Sequence, residues 1–138
     1  MYIPEELLYD KNNYWVKVMG EEVLIGLTEY GQSTTGDILY LELVPEDTVL
    51  PRGEQFGSIE SGKWVGQLTA PVSGVVVERN RDIEASPRQV NAHPYEQGWL
   101  VRVKLIDPGE LESLMGAADY TRWVEEQIRL DEEDEVAL

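Results

Sequence analysis

Cysteine is missing from the 138-residue sequence, and other residue types that carry chemistry are scarce. Without cysteine the chain has no disulfide framework, no thiolate nucleophile and no cysteine-ligated metal site. The single histidine, His93, precedes Pro94 in a predicted loop, and a lone histidine is more typical of a surface residue than of a catalyst. Glycine-rich phosphate loops and a G-x-S-x-G nucleophile motif are also absent. The sequence therefore predicts no catalytic residue and no metal site.

Basic residues are few as well: 11 lysines and arginines stand against 27 acidic residues, which gives a formal net charge of −16. A surface this acidic repels phosphate backbones, so nucleic-acid binding is not expected. It suits docking onto basic patches of partner proteins, and it also suits adaptation to a salty cytoplasm. Five consecutive acids, 131–135, predict an acidic flexible tail over 131–138 that follows a single domain over 1–130.

Long apolar runs are absent, which excludes a membrane-spanning helix. The first ten residues, MYIPEELLYD, have neither a basic segment nor an apolar one, so no signal peptide is expected there. With the lack of cysteine, these features favour a cytoplasmic protein.

Short β-branched and aromatic segments separated by turn residues make up most of the sequence, which is typical of a mainly β fold. Within DILYLELV, alternation predicts residues 38, 40 and 42 on one face and residues 39, 41 and 43 on the other. Residues 28–37 are predicted as a loop or one helical turn, and 81–98 as a short helix with irregular chain. The predicted strands are 13–18, 21–28, 37–44, 56–61, 64–69, 75–80 and 99–106.

Helical signals are concentrated near the C-terminus. Asp107 is a predicted N-cap, Pro108 follows at the first helical position, and Glu110 completes a capping-box pattern. Gly116 is predicted to end this helix, and a second helix is predicted over 118–130. Many short strands closed by small helices favour a β sandwich or barrel-like core with peripheral helices.

Lys63 stands out among the four lysines because it lies in a very short link between two predicted strands. Gly62 gives that link the freedom to turn tightly, and a turn residue is exposed. An exposed amine suits covalent attachment of a cofactor by another enzyme, and it suits Schiff-base catalysis poorly. On spacing alone, however, an ordinary hairpin lysine is the simpler interpretation, and nearby Glu60 is explained as a solvated strand-end acid.

The segments ESGKW, APVSG and VVVERN, within residues 60–80, resemble the lipoyl-lysine hairpin of glycine cleavage system H proteins. Residues 15–44 and 91–127 are similar to the two halves of the same family, so the resemblance covers about residues 8–128. It implies a barrel-sandwich hybrid fold of the biotinyl/lipoyl-carrier type. It also implies lipoate in amide linkage to Lys63, in the hairpin context of Glu60, Ser61, Gly62 and Trp64. Biotin carriers present their lysine between two methionines, so Gly62 and Trp64 argue against biotin.

A carrier of this kind is a substrate of other enzymes and not a catalyst, and thiol–disulfide chemistry on the attached group explains how a cysteine-free chain takes part in redox chemistry. The implied partners are a lipoate ligase or lipoyl-transfer enzymes, with dihydrolipoamide dehydrogenase as a further candidate. A carrier that visits several enzymes is expected to be a monomer.

Two departures from the family pattern concern the residues that would shelter the arm, which is the lipoyl group together with the side chain of Lys63 that carries it. The family usually reads Ser-His-Glu-Trp before the first strand, where this sequence has Asn12, Asn13, Tyr14 and Trp15. Gln67 stands where the family usually has aspartate. In the family these polar groups are thought to receive the amino group of the loaded arm, and an ammonium in a cleft needs charged partners. Asn12, Tyr14 and Gln67 are therefore candidate shelter residues with a weakened affinity for an amine.

From these losses we prefer the hypothesis of a sulfur-carrying arm that serves a heterodisulfide-reductase-like complex in cytoplasmic sulfur oxidation. The alternative is an H protein that carries the aminomethyl cargo from glycine decarboxylase to aminomethyltransferase, with Tyr14 and Gln67 as neutral changes. An unmodified interaction module and a carrier that hands lipoyl groups to other proteins are further alternatives.

Overall fold

Nine strands form two antiparallel sheets over residues 1–137, which the computed structural model describes. The larger sheet contains, in spatial order, β1 (Leu8–Tyr9), β2 (Tyr14–Met19), β3 (Glu22–Leu27), β9 (Val101–Leu105), β8 (Gly74–Arg79) and β5 (Val49–Leu50). The smaller sheet contains β4 (Ile38–Leu43), β6 (Gln55–Ser61) and β7 (Val65–Thr69).

Helices lie outside the sheets and cover their ends. They are α1 (Glu29–Thr35), α2 (Arg81–Ala85), α3 (Arg88–Ala92), a 3₁₀ helix (Pro108–Ser113) and α4 (Ala117–Ala137). This architecture confirms the predicted mainly β fold with short peripheral helices and a C-terminal helix. No helix within residues 1–137 combines the length and apolar character needed to cross a bilayer.

Two hydrophobic clusters hold these elements together, because alternate strand residues turn inward. The larger cluster lies between the sheets and includes Val16, Val23, Ile25, Leu27, Ile38, Leu41, Leu43, Phe56, Ile59, Leu68, Val76, Val101 and Val103. The smaller cluster joins α4 to β1 and β2 through aromatic side chains. Within it the rings of Tyr9 and Tyr120 stack with their centroids 4.6 Å apart.

The alternation predicted along β4 is wrong at its start. The pairing of β4 with β6 shifts between Ile38 and Tyr40, which marks a β-bulge at Leu39. Ile38 is buried, whereas Leu39 and Tyr40 both face solvent, and strict alternation resumes with buried Leu41 and exposed Glu42. The bulge depends on how β4 pairs with β6, and it leaves no mark in the sequence of β4 itself. The hydrophobic pattern therefore could not predict the bulge.

The C-terminal region also differs from its predicted structure. The first predicted helix is a 3₁₀ helix that ends at Ser113, ahead of Gly116, although Asp107 does accept the predicted capping hydrogen bond from Gly109 N–H. Glu110 does not close a capping box: its carboxylate accepts hydrogen bonds from Ser73 N–H and Oγ. The helix predicted over 118–130 continues to Ala137, so it includes most of the segment 131–138 for which the sequence predicts a flexible tail; Leu138 lies outside the described residues.

Between β8 and β9, the single short helix predicted with irregular chain is two helices, α2 and α3. They are separated by Ser86 and Pro87. The loop or single turn predicted over residues 28–37 is α1, whose N-cap Thr28 accepts a hydrogen bond from Gly31 N–H.

Candidate functional site

Lys63 lies at the tip of the hairpin formed by β6 and β7, as the sequence predicts. The turn closes through a hydrogen bond from Ser61 N–H to the carbonyl of Trp64, at 2.8 Å. The buried hydroxyl of Ser61 donates to the carbonyl of Thr35 at 2.6 Å, and it accepts a hydrogen bond from Lys63 N–H at 3.3 Å. Ser61 therefore ties the hairpin tip to the C-terminal end of α1 and limits the movement of Lys63.

The stem of the Lys63 side chain lies against Gly36, the C-cap of α1. Gly36 has φ +87°, a left-handed conformation that favours glycine. A β-carbon at this position would lie 2.9 Å from Lys63 Cε, so a larger residue would push the lysine away. Lys63 is otherwise exposed, which leaves its amine accessible to another protein.

Trp64 folds back along β7. A β-carbon on Gly66 would lie 2.1 Å from Trp64 Cζ2, so the indole ring covers this glycine closely. The side chain keeps 44% of its surface exposed and forms part of a cleft beside the hairpin. Trp64 is therefore both packed on the hairpin and placed to contact a group in that cleft.

The cleft has a volume of about 290 Å³ and brings together all three candidate shelter residues, Asn12, Tyr14 and Gln67. Its other walls come from β3, α1 and the two hairpin strands. The remaining lining residues are Asn13, Leu27, Gly31, Thr34, Thr35, Ile59, Trp64, Leu68 and Thr69. Glu60, Ser61, Gly62 and Lys63 do not line it, and Glu60 lies exposed on the outer face of the smaller sheet.

Tyr14 is the most constrained of the shelter candidates. Its side chain is 4% exposed, and its hydroxyl oxygen accepts a hydrogen bond from Thr69 N–H at 2.9 Å. Burial raises the pKa of Tyr14 to about 12, so the hydroxyl is neutral at physiological pH. Tyr14 thus forms an uncharged structural tie between β2 and β7.

The side chains that line the cleft carry no formal charge. Within residues 1–137, every side chain that lines it is apolar, hydroxyl-bearing or an amide. Asn12 and Gln67 are exposed and supply amide oxygens as hydrogen-bond acceptors, but no carboxylate reaches into the lining. A neutral acceptor binds an ammonium more weakly than a carboxylate does.

Asn13 is a cleft residue that the sequence analysis did not select. Its backbone has φ +69°, and its side-chain oxygen accepts a hydrogen bond from the Tyr120 hydroxyl at 2.9 Å. Tyr120 also lies 2.7 Å from the hydroxyl of Thr28, the N-cap of α1. These contacts connect α4 to the cleft wall, and the tolerance of asparagine for positive φ was the signal available in the sequence.

His93 ends α3 and is exposed. Within the described part of the chain, no group of three histidine, aspartate or glutamate side chains is placed to hold a metal ion.

Comparison with known proteins identifies the architecture. The family model "Glycine cleavage H-protein" matches residues 7–127. The chain is 48% identical over 126 residues to glycine cleavage system H proteins of Staphylococcus saprophyticus, Staphylococcus carnosus and Staphylococcus haemolyticus. Each alignment covers 91% of this chain and 100% of the relative.

A crystal structure of a glycine cleavage system H protein from Mycobacterium marinum superposes with a TM-score of 0.81 at 29% identity. The match covers 89% of this chain and 99% of that one, and it confirms the predicted lipoyl-carrier fold class. The comparisons give no support to a branch devoted to sulfur oxidation. The chain belongs to the glycine cleavage H-protein family.

Proposed function

We propose that this chain is the H protein of a glycine cleavage system, with lipoate in amide linkage to Lys63, serving glycine decarboxylase and aminomethyltransferase. Proteins of this family carry covalently attached lipoate on a lysine and are acted on by enzymes without being enzymes themselves. The observation that carries the proposal is the exposed Lys63 at the tip of a hairpin tied to α1. Similarity to H proteins over their whole length supports it.

The surroundings of Lys63 fit a lipoyl group. Gly36 leaves space for the lysine stem, and Thr34 and Thr35, just before it in α1, form one wall of the cleft. Leu27, Ile59, Leu68 and the Trp64 ring give that cleft an apolar lining, which suits the hydrocarbon of the lipoyl chain. When bound, the group supplies a disulfide that can be opened, reduced and closed again.

The chain's own residues position and shelter this arm. Ser61 and Gly36 hold the attachment point at the end of α1, and Trp64 lies beside the path from Lys63 into the cleft. The amide oxygens of Asn12 and Gln67 can accept hydrogen bonds from an amine cargo. Because these acceptors are neutral, we expect such a cargo to be held loosely compared with a cleft that contains carboxylates.

A cargo without an amino group is the second candidate, and the neutral lining of the cleft is the observation that favours it. Under this hypothesis the arm carries sulfur for a heterodisulfide-reductase-like complex. The named relatives favour glycine cleavage, which is why we rank the sulfur cargo second.

Attachment is tested by intact-mass measurement after incubation with lipoate, ATP and a lipoate ligase. We expect one lipoyl addition to the native chain and none to Lys63→Arg, which keeps the positive charge but cannot be acylated in the same way. Lys104→Arg is the matched control and should be modified normally. An unmodified native chain, or an addition that persists in Lys63→Arg, contradicts the proposal.

Cargo is tested separately with the lipoylated chain, glycine decarboxylase, pyridoxal phosphate, glycine and labelled bicarbonate. Exchange of the glycine carboxyl group at a rate comparable to that of a Staphylococcus H protein supports the glycine cleavage function. Normal lipoylation without exchange would instead favour the cargo that lacks an amino group.

A further inference from the structure

An apolar patch lies on the outer face of the smaller sheet, next to the hairpin that carries Lys63. It consists of Leu39 and Tyr40 on β4 and Val65 on β7, which are 63%, 48% and 72% exposed. The strand register places Tyr40 opposite Glu60, and Glu60 opposite Val65, so the exposed carboxylate of Glu60 on β6 lies in one row between Tyr40 and Val65. We call Leu39, Tyr40 and Val65 the outer-face patch.

The bulge in β4 brings Leu39 into this patch. In a regular strand Leu39 would turn inward, but the register shift between Ile38 and Tyr40 leaves both Leu39 and Tyr40 at the surface. Exposing two large apolar side chains side by side costs hydration free energy, and such patches on a soluble domain typically mark a contact surface. The bulge is therefore explained if another protein covers this face.

Carboxylates lie beside the apolar side chains of the patch, with Glu60 between Tyr40 and Val65 and Glu42 next to Tyr40. The Tyr40 hydroxyl donates a hydrogen bond to Glu42 Oε2 at 2.9 Å. This bond and the charge of Glu42, followed by the charges of Glu60 and Glu84, raise the pKa of Tyr40. Glu84 is engaged by Arg79 at 3.5 Å, whereas the ion pairs formed within residues 1–137 include neither Glu42 nor Glu60.

An aromatic ring next to unpaired carboxylates is suited to an arginine or lysine from a partner. The cation can lie over the ring of Tyr40 while its N–H groups donate to a carboxylate. The net charge of −16 also attracts basic surfaces over longer distances.

We propose that the outer-face patch, together with the carboxylate of Glu42, is the docking surface for the enzyme that attaches lipoate to Lys63. This enzyme presents an arginine or lysine beside apolar side chains at the entrance to its active site. The inference rests on the proposed function, since it requires that Lys63 is lipoylated.

The position of the patch selects this partner over the others. An enzyme that modifies the amine itself must bring its active site to the hairpin tip, where Val65 lies two residues beyond Lys63. Enzymes that act on the far end of an attached arm can remain farther from the protein surface. Of the possible partners, the enzyme that attaches lipoate is therefore the one that must contact the outer-face patch most closely.

The test measures initial rates of lipoate attachment to the purified chain by a lipoate ligase with ATP. We expect Tyr40→Ala to raise KM for the chain about tenfold with kcat unchanged, as for an aromatic anchor at an interface. Tyr40→Phe retains the ring and should stay within about twofold of the native KM. Tyr40→Lys places a cation against the partner's cation and should raise KM further than Tyr40→Ala.

The charged part of the surface is tested with salt. Glu42→Gln should raise KM about threefold at low ionic strength, and this difference should disappear at high ionic strength. Glu125→Gln, an exposed acid on α4, removes the same charge elsewhere and should leave KM unchanged. Val65→Ala should raise KM as well, whereas Val49→Ala, at an exposed position of β5 in the larger sheet, is its matched apolar control and should leave KM unchanged.

Native KM values for both Tyr40→Ala and Tyr40→Lys, with lipoylation of the native chain intact, would overturn the docking surface and leave the proposed function standing. The same conclusion follows if Glu125→Gln raises KM as much as Glu42→Gln. A native chain that is not modified at all contradicts the proposed function itself. Thermal melting of each variant shows whether a raised KM comes from unfolding.

Discussion

At the scale of single residues, Tyr14 and Gln67, the two positions at which the resemblance predicts a departure from the family pattern, differ physically. Tyr14 is buried and its hydroxyl accepts the Thr69 N–H, so it holds two strands together. Replacing it by glutamate would bury a carboxylate and cost stability before any effect on cargo could be measured. Gln67 is exposed, so a charge there remains hydrated and the fold tolerates it.

Gln67→Asp is therefore the informative change. It places a carboxylate in the cleft, and a charge-assisted contact with an ammonium should improve glycine carboxyl exchange by the lipoylated chain about threefold. Ser58→Asp is the control, because Ser58 pairs with Gln67 across the hairpin but does not line the cleft. Equal exchange rates for the native chain and Gln67→Asp would mean that the neutral cleft does not limit an amine cargo.

At the scale of secondary-structure elements, the junction between α1 and the hairpin determines where Lys63 can go. Ser61 bonds the tip to Thr35, and the next residue, Gly36, receives the lysine stem. Both contacts come from the last turn of a seven-residue helix, which alone would be marginal in water. The hairpin and α1 therefore stabilise each other.

Gly36→Ala should disturb both partners of this junction. A β-carbon at φ +87° strains the backbone and lies too close to Lys63 Cε, so we expect about 1–2 kcal/mol lower free energy of unfolding. We also expect slower lipoylation, because the lysine is displaced. Gly53→Ala is the control: it has φ +89° but no neighbour within 4 Å of the added carbon. It should lower stability similarly without slowing lipoylation; equal lipoylation rates for both variants would contradict the role of Gly36.

The composition of the segments and the turn residues were sufficient to predict the larger strands, because β-branched and aromatic residues are concentrated in them and turn residues separate them. They could not reveal features set by contacts between elements. The bulge at Leu39 depends on pairing with β6, and the two-residue strands β1 and β5 exist only because β2 and β8 pair with them. Resemblance selected Lys63 and the shelter candidates Asn12, Tyr14 and Gln67, whereas the role of Asn13 became visible only through its contact with Tyr120.

At the scale of the whole molecule, an aromatic cluster joins the C-terminal helix to the sheet that supports the cleft. Tyr120 stacks on Tyr9 and reaches Asn13 and Thr28 through its hydroxyl, so α4 supports the wall of the cleft from behind. Tyr95 accepts a hydrogen bond from Glu29 N–H at the start of α1. The fold thus contains several tyrosine hydroxyl groups, those of Tyr9, Tyr14 and Tyr120 on buried side chains and that of Tyr95 on a half-buried one, that carry their protons in the folded state.

This dependence predicts alkaline unfolding. Burial raises the pKa of Tyr14 and Tyr95 to about 12, and it raises those of Tyr9 and Tyr120 as well. An unfolded tyrosine loses its proton near pH 10, whereas these folded ones keep it, so the unfolded state binds fewer protons above pH 10. Stability is then complete below about pH 10, and each tyrosine removes about 1.4 kcal/mol per pH unit between about pH 10 and its folded pKa.

Urea unfolding across this pH range, with tyrosinate absorbance recorded in parallel, measures the effect. We expect the free energy of unfolding to fall steeply above pH 10 and tyrosinate to appear together with unfolding, because the buried hydroxyls ionise only when the chain opens. Tyr120→Phe removes one of the four titrating groups and should make the pH dependence shallower, although the variant starts less stable through loss of the contacts to Asn13 and Thr28. A free energy of unfolding that stays constant from pH 9 to about pH 12 would mean that these tyrosines are not buried in solution as the fold requires.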